Sequence, residues 1–375
     1  MRYAWTEEQT LLRGALERLF AERFSFPDRS KQPNQYVAQA AWRELAQLGV
    51  LGLPFEEQFG GSEGGALDTA LVMEALGRGL VPAPYIPSIV IGGGFLRYAG
   101  PSALKAELIP RLIAGDLHLA LAFTEAQSRF NPANVATSAV RRGDRYILSG
   151  QKIVAYNAPI AGFLFVTART GGAHTDLDGV SLFLVSVDAA GLEVRSYETA
   201  DEYSAADIRL NGVEVAVGHL IGEEGKAIDL IERVLDEAIV AACAEAVGAM
   251  AALNARCVEH VRTRVAFGQT LSKFQALRHR IVDMHVAYEQ AGALTLKAAL
   301  SLSAAPAHRA RIVSACKAQV CQEAAFVGKA AVQLHGAIGV TDELDVGRYF
   351  KRIMLFQHVF GGADYHLRRF LALSR

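Results

Sequence analysis

The feature that most constrains this chain is a change of hydrophobic period that happens twice. Up to about residue 114 apolar residues recur at helical spacing, near Asp116 they collapse into short strand-like runs, and after Gly222-Glu223-Glu224-Gly225 long helical runs return. Helices bury residues with a period near 3.6 and half-buried strands with a period of 2, so one segment cannot serve both patterns. The expected fold class is therefore α+β multidomain. An N-terminal helical domain over 1–115 precedes a middle β-barrel or sandwich over 116–225, and a C-terminal four-helix bundle spans 226–375.

Local signals support each module. Thr6 and Gln9 have capping-box spacing, and Leu11, Leu12, Leu16, Leu19 and Phe20 continue at helical intervals. A run from Ala41 to Leu48 stops at Gly49, and the loop Phe59-Gly60-Gly61-Ser62-Glu63-Gly64-Gly65 is too glycine-rich for a regular element. Helical patterning resumes over Ala66–Leu76 and Ser102–Ala114. In the middle module the apolar runs 119–123, 146–148, 163–166 and 182–185 are punctuated by Gly143-Asp144, Gly171-Gly172 and Asn211-Gly212. The spacing then predicts long helices over 227–265, 274–302, 306–334 and 344–374, lengths that suit an antiparallel bundle.

Composition excludes several classes. With 375 residues, 51% hydrophobic and 21% charged, the chain can bury a large core. A formal net charge of -1 and no long basic run argue against nucleic acid or an anionic membrane as partner. The polar N-terminus Met1-Arg2-Tyr3-Ala4-Trp5-Thr6-Glu7-Glu8 lacks a signal core. The apolar run Ala238–Leu253, interrupted by Glu245, reads as a buried bundle helix. Cys243, Cys257, Cys316 and Cys321 show no metal or redox spacing, so structural thiols and a cytoplasmic location are expected.

Five segments carry chemistry. They are Gly52-Leu53-Pro54 with Phe59-Gly60-Gly61; Phe123-Thr124-Glu125; Gly150-Gln151-Lys152; Arg264-Val265-Ala266-Phe267-Gly268-Gln269 with Phe274-Gln275-Ala276-Leu277; and Gln333-Leu334-His335-Gly336-Ala337-Ile338-Gly339. Arg264 offers a planar charged fork that suits a pyrophosphate. Phe267 offers a flat apolar face, and Gly268 and Gly336 allow close backbone approach. Gln275 and Gln333 can donate and accept at once. In this order and spacing the set resembles the acyl-CoA dehydrogenase family over essentially the whole chain.

That resemblance implies FAD at a subunit interface, an acyl-CoA substrate and electron-transfer flavoprotein as acceptor. It implies that Arg264, Phe267, Gln275, Gln333, Gly336 and Ala337 reach across to a neighbour's flavin, with Ala337 standing where a second glycine is common. It places Thr124, Ser128, Val154 and Tyr156 against the chain's own flavin. There the family's T-E-P-x-x-G-S-D becomes Thr124-Glu125-Ala126-Gln127-Ser128-Arg129-Phe130-Asn131, and Val154 and Tyr156 replace its Trp and Thr.

The family's catalytic base is a Glu, and its usual slot falls at Phe360 or Gly361; a second slot falls at Ala238, beside Glu237. Glu237 is the candidate base if the register moves by one, and otherwise an ion-pair residue facing Arg233; Asp364 is a second candidate. The segments 236–248 and 360–367 are similar to small subunits of heteromeric acyl-CoA dehydrogenases, pimeloyl-CoA dehydrogenase among them. The expectation is thus an acyl-CoA α,β-desaturating subunit that works with a larger homologous partner, as a heterotetramer. A non-catalytic structural partner, a self-sufficient homomeric dehydrogenase and an oxidase-like flavoenzyme are the competing readings.

Overall fold

Thr6 does cap the first helix. Its hydroxyl accepts from the Gln9 amide at 3.1 Å while the Gln9 side chain accepts from the Thr6 amide at 3.2 Å. The computed structural model describes residues 4–26 and 31–374, so Met1–Tyr3 of the polar N-terminus lie outside the described residues. The helices are α1 (Glu7–Arg23), α2 (Asn34–Gln47), α3 (Ala66–Gly79), α4 (Gly93–Ala99), α5 (Ser102–Ala114), α6 (Ile228–Thr263), α7 (Gln275–Leu300), α8 (Pro306–His335), α9 (Val346–Phe356) and α10 (Ala363–Ala372). The strands are β1 (Leu119–Ala122), β2 (Ser138–Arg142), β3 (Arg145–Tyr156), β4 (Phe163–Arg169), β5 (Val180–Ser186), β6 (Leu192–Glu198), β7 (Ser204–Ala216), β8 (Leu220–Ile221), and the short β9 (Val265–Ala266) and β10 (Gln269–Thr270). Packing groups them into two compact units. One holds 38–65 and 83–238, the other 1–37, 66–82 and 239–375.

In the first unit the strands form one sheet in the order β6-β7-β3-β2-β4-β5-β8, with β1 also paired to β4. It departs from a purely antiparallel barrel or sandwich, because β1 runs parallel to β4 from Leu119↔Phe163 to Ala122↔Val166. Alternating residues such as Tyr146, Leu148, Leu164, Val166, Phe183, Val185, Ile208 and Leu210 fill its apolar core. A π-helical turn, Ile86–Gly92, leads into α4 and is not legible in the sequence. Small residues admit it: a Cβ on Gly92 would lie 2.6 Å from the Leu119 side chain, and one on Gly93 would lie 2.6 Å from the Phe55 ring. Ser88 on this turn exchanges hydrogen bonds with the Leu119 backbone, and Asn157 donates to both.

In the second unit α3 crosses the following part of α6 at glycine contact distance. A Cβ on Gly77 would overlap the Glu245 carbonyl, and one on Gly248 would overlap the Glu74 carbonyl and the Arg78 amide. Close by, Arg352 clamps Glu245 through two hydrogen bonds of 2.8 and 2.7 Å, so the one carboxylate within the apolar run is paired as that run requires. Helix α6 is long and apolar enough to cross a membrane, yet 83% of its most apolar window is buried inside the protein. The predicted fourth long helix is corrected to two, α9 and α10. Phe360 (φ 57) and Gly361 (φ 101) are both left-handed, which no helix accommodates. All four cysteines are buried and free.

The crossing yields a contrast. Gly248→Ala overpacks a backbone contact and is expected to destabilise by about 3 kcal/mol. Gly14→Ala meets nothing within 4 Å on α1 and should stabilise by about 0.5–1 kcal/mol. Urea unfolding of the two variants measures both.

Candidate functional site

At the end of α6, the Arg264 amide donates to the His260 carbonyl at 2.8 Å, and the chain then turns back as the β9–β10 hairpin. Its tip is Phe267 (φ 54) and Gly268 (φ 79), the two positive dihedrals a tight hairpin turn demands. Glycine meets that demand freely, whereas a bulky residue there is strained. Phe267 is nonetheless 92% exposed, and its ring touches Phe274 edge-on at 6.2 Å. A strained apolar ring held in water has no folding rationale of its own; it waits for another surface.

Phe274 directly precedes Gln275, the first residue of α7, which is exposed. Gln333 lies exposed on the last turn of α8, and Gly336 (φ 66) ends that helix. A Cβ at either Gly268 or Gly336 would meet nothing within 4 Å, so open space lies beside both backbones. Arg264 and Ala337 are exposed as well. The structure therefore gathers the expected set of Arg264, Phe267, Gln275, Gln333 and Gly336 at one end of the helical unit. Sequence spacing does not announce one further contact. The rings of His260 and His335 stack at 4.4 Å, joining the ends of α6 and α8. The only trace in sequence is a His four residues before Arg264 and another just before Gly336.

The other expected group lies in the β unit. Glu125 is 4% exposed and anchors the turn that begins at Thr124. Its carboxylate accepts from Lys152 at 2.6 Å, the Thr137 hydroxyl at 2.7 Å, Gln127 at 2.7 Å and the Ala136 amide at 2.8 Å. Burial alone would raise the Glu125 pKa, but the Lys152 ammonium and the donated hydrogen bonds outweigh it and hold the carboxyl at about 2. Burial pulls Lys152 down to about 8 against the opposing pull of Glu125. At neutral pH both are charged.

Ser128 departs from the role expected of it. It is buried, and its hydroxyl donates to the Glu125 carbonyl at 2.8 Å while accepting from the Glu125 amide at 3.0 Å, so it is committed inside the turn. Arg129 (φ 43) and Phe130 (φ 72) follow as two left-handed residues in succession. Thr124 accepts from the Ile153 amide at 2.8 Å through its carbonyl. Val154 (φ 53) is half-exposed on a bulge of β3, its amide donating to Asp207 at 3.2 Å, and Tyr156 is partly buried where β3 ends.

Neither expected carboxylate slot holds a free base. Glu237 is not paired with Arg233. Its oxygens accept from Arg97 at 2.9 Å and from the Tyr98 hydroxyl, while Arg233 stacks over the Tyr98 ring at 3.9 Å. Ala238 is fully buried. At the usual slot, Phe360 carries a phenyl ring, and a Cβ on Gly361 would lie 2.5 Å from the Tyr365 ring and 3.1 Å from His366 Nε2, so position 361 has no room for a side chain. His366 Nε2 donates to the Phe360 carbonyl at 3.0 Å, and burial lowers this imidazole to about 4, keeping it neutral. Asp364 is exposed in the first turn of α10, beyond this turn.

The Glu125–Lys152 pair gives two expected outcomes. Lys152→Met strands a buried carboxylate and should cost about 3–5 kcal/mol, whereas Glu125→Gln with Lys152→Met should cost much less. The folded pKa of Glu125 is depressed from its ordinary 4.5, so its stabilisation is present above that value. It is lost as pH falls from 4.5 towards 2. Melting temperatures from pH 6 to 2.5 should therefore drop more steeply in the wild type than in the double variant.

Comparison with known proteins places this geometry. Models of the acyl-CoA dehydrogenase N-terminal, middle and C-terminal domains match residues 6–116, 120–213 and 226–373. The chain is 31% identical over 335 residues to the L-prolyl-[peptidyl-carrier protein] dehydrogenase of Serratia sp., covering 86% of this chain and 85% of the relative. The solved FAD complex of PigA superposes with a TM-score of 0.91 at 26% identity, covering 100% of both chains. The Tcur3481-Tcur3483 steroid ACAD G363A variant superposes at 0.87 and 26% identity, covering 98% of this chain and 97% of that one. The chain belongs to the acyl-CoA dehydrogenase family.

Proposed function

We propose that this chain is the smaller partner in a heteromeric, FAD-dependent acyl-CoA dehydrogenase, lending its helical unit to a flavin held by a larger homologous subunit. The observation that carries the reading is the Phe360-Gly361 turn. Of the two positions that match the family's glutamate, Phe360 carries a phenyl ring that accepts no proton, and a Cβ on Gly361 would run into Tyr365 and His366. Glu237, the nearest carboxylate to the other slot, is already held by Arg97 and Tyr98. Removing the proton alpha to a thioester needs a carboxylate free to accept it, and the larger partner supplies that group.

FAD suits the residues of the helical unit. Arg264 brings a permanent charge and a bidentate fork for the pyrophosphate, and Phe267 brings an exposed face for a ring. Gln275 and Gln333 satisfy adenine or ribose edges, while Gly268 and Gly336 leave the open space that close approach requires. Held by these residues, FAD would supply the hydride acceptor that oxidation of the acyl group at its beta carbon requires. This chain's own residues bind and orient the cofactor; they exclude water from its adenosine end and move no proton. The β unit suits a flavin ring less well, since the Ser128 hydroxyl is committed to its own turn and Val154 presents little stacking area.

The paired name of the Tcur3481-Tcur3483 steroid ACAD supports an assembly of two different chains. An acyl-CoA substrate, electron-transfer flavoprotein as acceptor, a heterotetramer and a cytoplasmic setting complete the proposal.

Purified alone, the chain should be colourless and should not bleach flavin with any acyl-CoA. Co-expressed with a larger homologous subunit, it should become yellow and active. Bound flavin that bleaches with acyl-CoA in the lone chain would sink the reading. The measurement is the visible flavin absorbance before and after anaerobic thioester addition.

A further inference from the structure

The cofactor-facing residues of the helical unit come from two segments far apart in sequence, the hairpin after α6 and the turn after α8. Arg264 and Phe267 are useful only if they keep a fixed position relative to Gln333 and Gly336. The ends of the two helices that carry these segments are joined by the stack of His260 on His335, with centroids 4.4 Å apart and planes 32° from parallel.

Both rings are tied to the backbone that carries the site. His260 stands one turn before Arg264, and its carbonyl accepts the Arg264 amide at 2.8 Å. His335 is the last residue of α8, directly before Gly336, and is 8% exposed. Its Nδ1 lies 2.8 Å from the Ala331 carbonyl. A carbonyl only accepts, so Nδ1 carries a proton and the ring orientation is fixed. The turn after α8 wraps round this residue, for a Cβ on Gly339 would lie 2.9 Å from the His335 Cβ. Burial, the facing His335 and Arg264 together lower the pKa of His260, which favours its neutral form in the stack.

We infer that His260 and His335 are positioning residues that hold the Arg264–Gly268 hairpin and the Gln333–Gly336 turn in register for the cofactor. This rests on the reading that those two segments bind FAD. The pair acts through the residues beside it, and either half of the stack is useless without the other. The role needs a flat ring at position 260, whereas position 335 needs both a ring and an N–H.

The test is equilibrium FAD binding to the native assembly containing this chain, stripped of flavin and retitrated by fluorescence, with the melting temperature of the stripped protein as a fold control. His260→Ala and His335→Ala should each weaken FAD about five- to tenfold, the contribution of an aromatic pair. The double variant should be no worse than either single one, as expected for a coupled pair. His260→Phe should restore binding to within about twofold, since it keeps the ring. His260 is only partly buried, so its variants keep the proposal testable if His335→Ala fails to fold. Wild-type affinity in His260→Ala, alongside a large loss in Arg264→Ala, would overturn this inference and leave the cofactor assignment standing. Unchanged affinity in Arg264→Ala would overturn the assignment itself. Failure of His260→Phe to restore binding, with unchanged melting temperature, would also overturn the stack as the operative contact.

Discussion

At the centre of the helical unit lies a fully buried lysine. Among the described residues, Lys317 on α8 has no carboxylate in contact; it donates to the Phe356 carbonyl at 2.6 Å and lies 3.2 Å from the centroid of the Phe356 ring. Burial lowers its pKa, opposed by Cys321 and by Cys243 across on α6. Burial likewise pushes the Cys243 and Cys321 thiols up, so they stay protonated and serve as packing. A buried amine with so few polar partners fixes whatever it can bond to, and what it bonds to is the last residue of α9. The chain leaves that point into the turn with two left-handed residues, which His366 closes from the other side. The position of this turn follows from the packing beneath it.

The same logic separates the two groups of site residues. On the helical unit, strain is concentrated where nothing inside the chain benefits from it: a phenylalanine at positive φ, almost wholly in water, beside glycines facing open space. On the β unit, polarity is turned inward, while the left-handed Arg129, Phe130 and Val154 are exposed. Glu125, Lys152, Thr137 and Ser128 satisfy one another, and the left-handed Arg129 and Phe130 close the turn. The polar groups of the β unit are thus largely satisfied within their own turn, whereas Phe267 has almost no cover from the described residues.

Local signals are legible in the sequence and long-range ones are not. The Thr6–Gln9 capping box and the β-strand runs depend on neighbours within a few residues, and the structure reproduces them. The π-helical turn at Ile86–Gly92 depends on Leu119 and Phe55, which the β-branched and glycine-rich run cannot announce. The parallel pairing of β1 with β4 joins segments distant in the chain and has no local marker. Helix spacing puts Glu237 and Arg233 on one face, yet Arg97, brought in by α4, holds the carboxylate. The Arg264 and Gln333 segments are readable through the resemblance of the ordered set of five segments to the acyl-CoA dehydrogenase family, not from their spacing alone. The His260–His335 contact that joins them is not, because two histidines so far apart in the chain carry no pairing signal.

On the proposed reading, this chain completes a flavin site that it does not itself contain. Native mass spectrometry of the assembly purified with a larger homologous subunit counts flavins directly. The expected result is one FAD for each pair of unlike chains, retained only while both chains are present. An assembly of this chain alone carrying one FAD per copy would contradict the proposal.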